Sequence, residues 1–209
     1  MTFDLLTAVA APEHPIHLDA LLCGVLELRA QAQGRKVGDE VERLPLAAHA
    51  SGCWKASALV FDVQERFNRF ATRRVDQDRL VRDIASGAVG GRGDALNFNS
   101  GPFRNYLMTI PVIYARSATA WCIGDADEIR TMLLELPSIG RLGRNGYGAI
   151  GGEPVVEHDE LAHRLWESRI LPYEVADADE VFATVRYPYF DKTKQKKAWI
   201  PRTLSASLV

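Results

Sequence analysis

Residues 118–150 read Ala118-Thr-Ala-Trp-Cys-Ile123, Gly124, Asp125-Ala-Asp-Glu-Ile-Arg-Thr-Met-Leu-Leu-Glu-Leu136, Pro137 and Ser138-Ile-Gly-Arg-Leu-Gly-Arg-Asn-Gly-Tyr-Gly-Ala-Ile150. The first piece is β-prone and mostly apolar, which predicts a strand ending at Gly124. In the second, Ile129, Met132, Leu133 and Leu136 recur at helical spacing, which predicts a helix with one buried face. Asp125 can cap that helix while Glu128 reaches back in a capping box, and Pro137 ends it. The third piece is a loop, and Ala149 to Val156 after it reads as a strand interrupted by Gly151 and Gly152. The unit is strand, helix, glycine-arginine loop, strand.

The loop holds Gly140, Gly143, Gly146 and Gly148 with Arg141, Arg144, Asn145 and Tyr147 between them. Glycine lets a ligand approach the backbone, arginine offers a planar charged fork suited to phosphate, and tyrosine presents a face for a base. That composition suits a polyanionic backbone better than a small neutral metabolite. The familiar phosphate loops follow a strand and open a helix; this loop follows a helix and opens a strand, and no Gly-Lys-Ser/Thr is present. A Rossmann or Walker nucleotide enzyme is therefore not expected. The alternative reading of the loop is a tight turn carrying two solvated arginines.

Outward from this unit, Phe3 to Ala10 reads as a first strand, broken by Pro12 and Pro15. His17 to Leu28 reads as a helix with Leu18, Leu21, Leu22, Val25 and Leu26 buried, and Gly34 is its stop. Trp54 to Val63 and Tyr106 to Arg116 read as strands. Between them the glycines of residues 87–93 suggest a mobile excursion, and Asn99 to Arg104 a turn. The order β-α-β, β-α-β predicts an α+β, ferredoxin-like (RRM-like) domain, an antiparallel sheet with two helices on one face. One domain spans residues 1–209, with an insertion over about 64–104 and a C-terminal extension over about 157–209. That extension carries a possible helix at Leu161–Trp166 and a segment, Val185 to Phe190, expected to pack back on the sheet.

Apolar residues make up 47% and charged residues 25%, an ordinary globular balance. No apolar run is long enough to span a bilayer as a helix, and Met1-Thr-Phe-Asp-Leu-Leu6 lacks the basic start of a secretory signal. Cys23, Cys53 and Cys122 are odd in number and set among apolar neighbours, so free thiols in a reducing cytoplasm are expected, with neither zinc nor disulfide. The net charge of −2 argues against indiscriminate nucleic-acid binding. The charge is unevenly spread, however: Gln64 to Arg104 holds eight arginines against five acids, and Lys192-Thr-Lys-Gln-Lys-Lys197 is a second basic run. Such asymmetry fits one face used on a polyanion, although charge runs also form ordinary solvated surface.

The helix entry Pro15-Ile-His-Leu-Asp-Ala-Leu-Leu22, the Trp54-Lys-Ala-Ser-Ala58 strand, Ser100-Gly-Pro-Phe-Arg104 and the loop from Ile139 to Ile150 resemble CRISPR-associated RAMP proteins. Within that superfamily the helix entry and Tyr187-Pro-Tyr-Phe190 look most like the Csf-type subunit of type IV systems, the counterpart of the Cas five family. The resemblance implies a subunit that grips the five-prime handle of CRISPR RNA and caps an effector filament. It would work beside backbone and large subunits, and act on target DNA indirectly. It implies that Gly140, Arg141, Gly143, Arg144, Asn145, Gly146, Tyr147 and Gly148 contact RNA, joined by His17, Lys55 and Arg104 from the other matched segments. The insertion would correspond to the family's thumb, with Arg66, Arg69, Arg73 and Arg74 as its RNA contacts. Arg69, Arg73 and Arg74 fall one helical turn apart and would share a basic face; a solvated helix face is the other reading.

Some relatives cut CRISPR RNA without metal, using histidine, tyrosine or lysine as general acid or base. His14 and His17 flank the first helix and His49 precedes the second strand, so a site near the glycine loop is permitted but not demanded. A histidine at a helix start is also a common cap or packing residue. His158 and His163 are five apart and do not share a helix face well, so a metal site is not expected. Ser51, Ser57 and Ser168 have no nucleophile elbow around them. The expectation is a non-catalytic subunit without cofactor; the alternatives are a metal-independent endoribonuclease acting on repeat RNA, or a ferredoxin-like domain binding a small ligand or protein.

Overall fold

A computed structural model describes residues 1–10, 14–73, 76–87 and 106–204. The chain is α+β, built on a five-stranded antiparallel sheet and a separate two-stranded hairpin. Its elements are β1 (Thr2–Leu5), β2 (Val9–Ala10), α1 (Leu18–Ala32), β3 (Val60–Arg73), α2 (Gln77–Ala85), β4 (Tyr106–Thr119), α3 (Ala126–Leu133), β5 (Ile150–Val155), α4 (Ala162–Leu165), β6 (Ala178–Ala183) and β7 (Lys196–Pro201). Two compact units divide it: Met1–Arg66 with Val112–Val209, and Phe67–Pro111.

In the first unit β4 is the organising strand. β1 pairs with it at Thr2↔Thr119 and Asp4↔Ser117, and β2 at Val9↔Ile113 and Ala10↔Val112. The expected single strand Phe3–Ala10 is therefore two short strands with Leu6–Ala8 between them. β5 pairs with the other edge of β1 through Leu5↔Ile150 and Asp4↔Gly151, with a shift in register before Thr2↔Val155. β3 pairs with β4. The sequence Trp54–Ala58, expected to open β3, instead makes isolated bridges, Ala56↔Cys122 and His17↔Ala58 among them.

Helices α1 and α3 share one core with the sheet. Leu18, Leu21, Leu22 and Val25 from α1 meet Ile129, Met132 and Leu133 from α3, with Phe3 and Ala118 beneath them. Gly34, at φ +66°, turns the chain out of α1 as its spacing predicts. Asp125 caps α3, its Oδ1 accepting from the amides of Asp127 (3.1 Å) and Glu128 (3.0 Å). The reciprocal half of the capping box does not form, because the Asp125 amide donates to Pro45 O at 3.0 Å. Across the top of the pair, Arg29 grips Glu135 through two hydrogen bonds of 2.9 and 2.6 Å.

The C-terminal part adds the β6–β7 hairpin, registered Ala178↔Pro201 to Ala183↔Lys196. Ala198, Ile200, Val185 and Ile170 form a second small core with Ala58. The basic run 192–197 thus supplies part of the connection into β7 and the first two residues of that strand.

The unit Phe67–Pro111 holds the later part of β3, the earlier part of β4 and the helix α2, capped by Asp76, whose Oδ1 accepts from the Arg79 amide at 3.0 Å. Here one expectation fails. Residues 60–73 form a strand, so Arg69 and Arg73 do not lie one turn apart on a helix. Helical spacing and the two-residue alternation of a strand both bring residues four apart to one side, and the alternation is the one that applies. Arg74, Arg104, the glycines at 88–93 and the Asn99–Arg104 turn lie outside the described residues.

Candidate nucleic-acid interface

The glycine-arginine loop is held by the break between β1 and β2. Leu6 N–H donates to Ala149 O (2.9 Å) and Gly148 N–H to Ala8 O (2.9 Å). Thr7 Oγ1 accepts from the Ala149 amide at 2.9 Å, and Arg141 bridges Ala10. The base of the loop closes through Ile139 N–H to Gly148 O at 2.8 Å. Its tip is a single 3-10 turn, Gly143–Asn145, between Leu142 and Gly146, both with positive φ. These bonds satisfy backbone groups that a solvated turn would leave to water, and they give the loop one defined path.

Two glycines shape that path. At Gly148 the backbone has φ +66° and an added Cβ would run into the carbonyl oxygen of Ile139; at Gly143 it would meet the Ser138 hydroxyl. Only a residue without Cβ fits at Gly148, whereas at Gly143 a side chain would need the Ser138 hydroxyl to turn away. With the backbone so placed, Arg141, Arg144, Asn145 and Gly146 are exposed or half-exposed and Tyr147 is half-buried. The loop therefore presents two guanidinium groups, a side-chain amide and a phenol from one pinned segment. Such a set can donate to phosphate oxygens and lay a ring against a base.

The remaining sequence-predicted residues belong to other segments of the chain. Lys55 is half-buried in the segment that pairs with 120–124, its amide donating to Ala47 O at 2.8 Å. Arg66 is exposed near the end of the first unit, and Arg69 is exposed in the second. His17 is almost wholly buried. It is 2% exposed, lies parallel to Tyr189 at 4.5 Å between ring centroids, and its Nε2 accepts from the Ile170 amide at 3.3 Å. The residue that enters α1 turns inward because Ser57 and Ala58 pair with Leu18 and His17 and close over it.

His17 belongs to a buried polar cluster that sequence reading missed. Arg169, fully buried, donates to Trp54 O (2.8 Å), Ala56 O (2.8 Å), Val185 O (2.9 Å) and Tyr189 Oη (2.6 Å). Asp19, equally buried, accepts from Tyr189 Oη at 2.7 Å and faces Arg169 Nη1 at 3.4 Å. The signal was present: Asp19 interrupts the apolar stripe of α1, and Arg169 stands before Ile170-Leu171. A charge at an apolar position is rarely tolerated unless paired.

Burial, reinforced by the Arg169 guanidinium, holds the His17 imidazole well below the ordinary histidine value of 6.5. Burial likewise raises the Tyr189 phenol well above its usual 10, with Arg169 opposing and Asp19 adding to the shift. The sign for stability follows from proton uptake. Below the ordinary histidine value the unfolded chain binds a proton that folded His17 resists, so the folded state weakens as pH falls through that value. Tyr189 stacks on the ring, and the Arg169 guanidinium is the charge that opposes its protonation. In urea titrations the wild type is expected to lose stability between about pH 7 and 5.5 more steeply than His17→Gln; equal slopes would refute this.

The family model for CRISPR type IV associated protein Csf3 matches residues 1–201. The chain belongs to that family. The match takes in the glycine-arginine loop, the Arg169 cluster and the β6–β7 hairpin, so each is part of the Csf3-family domain. No curated protein matches the chain. No helix among the described residues is long and apolar enough to cross a membrane. Membership makes this a type IV CRISPR-associated protein and supports its place as a subunit of a CRISPR complex.

Proposed function

We propose that this Csf3-family chain is a non-catalytic subunit that binds CRISPR RNA, holds its five-prime handle and caps the backbone of a type IV ribonucleoprotein, next to the backbone and large subunits. The observation that carries the reading is the pinned loop with Arg141, Arg144 and Asn145 reaching solvent. The strand arrangement supports it. Taking β1, β3, β4 and β5 as the four strands, β5 lies beside β1, β1 beside β4 and β4 beside β3. That order is consistent with a ferredoxin-like sheet carrying α1 and α3 in its crossovers. Proteins of that fold use the sheet and its attached loops to hold single-stranded RNA.

The non-catalytic reading rests on His17. Its Nε2 lone pair is taken by the Ile170 amide and burial keeps the ring neutral, so Nδ1 carries the hydrogen. A ring in that state offers no free lone pair to a ribose hydroxyl, which a general base requires. Short RNAs sharing one repeat-derived five-prime end are expected to co-purify with the protein expressed beside its partner subunits. Incubation with repeat RNA in EDTA is expected to leave that RNA intact. Discrete cleavage products in EDTA would establish the metal-independent endoribonuclease instead, and protein free of any RNA would remove the binding reading.

A further inference from the structure

A cleft of about 380 Å³ lies against the C-terminal hairpin, bounded by His14, His17, Tyr189 and Gln195 and by the run Val181–Thr184. Its size and mixed lining are those of a small-ligand site, apolar walls with a few polar groups. Four features give it chemistry. The first is a strand edge: the run Val181–Thr184 belongs to β6 and the residue after it. β7 pairs with β6 on one side and bridges Leu171 through Trp199 on the other, whereas β6 has no second strand neighbour among the described residues. The open edge of β6 therefore presents backbone donors and acceptors to the cleft.

The second feature is His17. With Nε2 engaged by Ile170, its Nδ1–H is a donor that finds no partner among the described residues, on a ring in the cleft wall that is 2% exposed in all. The third is Phe182, which borders the cleft yet is 70% exposed, a free aromatic face at the rim. The fourth is charge. Lys196 is the direct cross-strand partner of Ala183, so its side chain rises from the same face of the hairpin as that cleft residue. Lys194 precedes Gln195, another lining residue, and both lysines are exposed. Lys197, the cross-strand partner of Phe182, is already committed to Glu180 at 2.7 Å and to the Trp199 ring.

We propose that this cleft is a single-nucleotide site, in which a nucleobase from a single strand enters between the β6 edge and the His17–Tyr189 stack while Lys194 and Lys196 hold its phosphate. The inference rests on the nucleic-acid reading of this chain but uses a surface separate from the glycine-arginine loop. His17 Nδ1–H and the strand edge would read the base edge, Phe182 would cover its face, and the lysines supply charge that an apolar peptide would not need. The strand could be RNA or DNA; the shared chemistry is one base with its phosphate.

The test uses the full chain with short single-stranded RNA and DNA oligonucleotides carrying a photoreactive thio-pyrimidine. Crosslinks are expected in peptides covering 178–200, retained when Arg141 and Arg144 are both replaced by alanine. Phe182→Ala should weaken binding roughly tenfold, as loss of one stacked base does, and Lys194→Glu with Lys196→Glu should lower the salt dependence. All three side chains are exposed, so thermal melts should stay unchanged. Crosslinking by RNA alone, DNA alone or both supports the site and names the strand. Oligonucleotides that bind without touching 178–200, and indifferently to these variants, would overturn it and leave the cleft to a protein strand adding along β6. Binding that depends only on Arg141 and Arg144 would overturn the cleft while sparing the proposed function. Absence of any oligonucleotide binding would remove both.

Discussion

Arg169→Met is expected to lower folding stability by about 3–5 kcal/mol, the range for breaking a buried pair by removing one partner. The side chain is fully buried, and its donors serve Trp54, Ala56, Val185 and Tyr189. Methionine fills much of the volume but removes the charged donor from three carbonyl groups, leaving Trp54 O to the Ala56 amide at 2.9 Å and Val185 O to the Tyr189 hydroxyl at 3.5 Å. It also strands the Asp19 carboxylate, which faces Arg169 at 3.4 Å. The segments so joined are the entrance to α1, the 54–58 stretch and the 185–189 return, which are far apart in sequence. Urea unfolding should show a lower midpoint with an unchanged slope. A midpoint within error of the wild type would show that the cluster is not stabilising. Arg169→Met combined with Asp19→Leu should lose less than the two single changes together, because the stranded charge is gone.

Arg141→Ala with Arg144→Ala is expected to weaken RNA binding by on the order of a hundredfold, taking each guanidinium–phosphate bond at a typical charge-assisted value. The dependence of log affinity on log salt should flatten by about 0.7 for each guanidinium–phosphate pair removed from a single strand. Folding should be untouched, since both side chains reach solvent and the loop's path is set by backbone bonds to Leu6, Thr7 and Ala8. Titration of labelled repeat RNA at several salt concentrations reads both numbers. Unchanged affinity and slope in a folded double variant would place the RNA elsewhere on the protein.

Much of the fold was legible because it depends on local chemistry. The stripe of α1, the Asp125 cap on α3 and the strand after the glycine loop follow from spacing within a few residues. The cases that misled were those where one local pattern serves two structures. Four-residue arginine spacing fits a helix and a strand, and the apolar run from Phe3 to Ala10 concealed the break at Leu6–Ala8. The β6–β7 hairpin was missed because Ala178-Asp-Glu-Val-Phe-Ala183 lacks clean alternation and its partner begins inside a lysine run. Its pairing is decided by the second core, where its Ala198 and Ile200 meet Ala58, Ile170 and Val185 from distant segments.

The glycine-arginine loop could be recognised from the chain alone, because glycine and arginine carry their chemistry wherever they sit. That His17 faces inward could not be read the same way. A histidine at a helix entry is ordinary in sequence, and only the closing of Ser57, Ala58, Ile170 and Tyr189 around it sets its tautomer and its charge. The same holds for Asp19 and Arg169, which stand near opposite ends of the chain and read as unremarkable charges until burial makes each the other's counterion. Composition and spacing determined which charged and aromatic groups this protein carries. The tertiary structure decided which of them reach solvent, because burial and long-range pairing depend on segments that no local pattern connects.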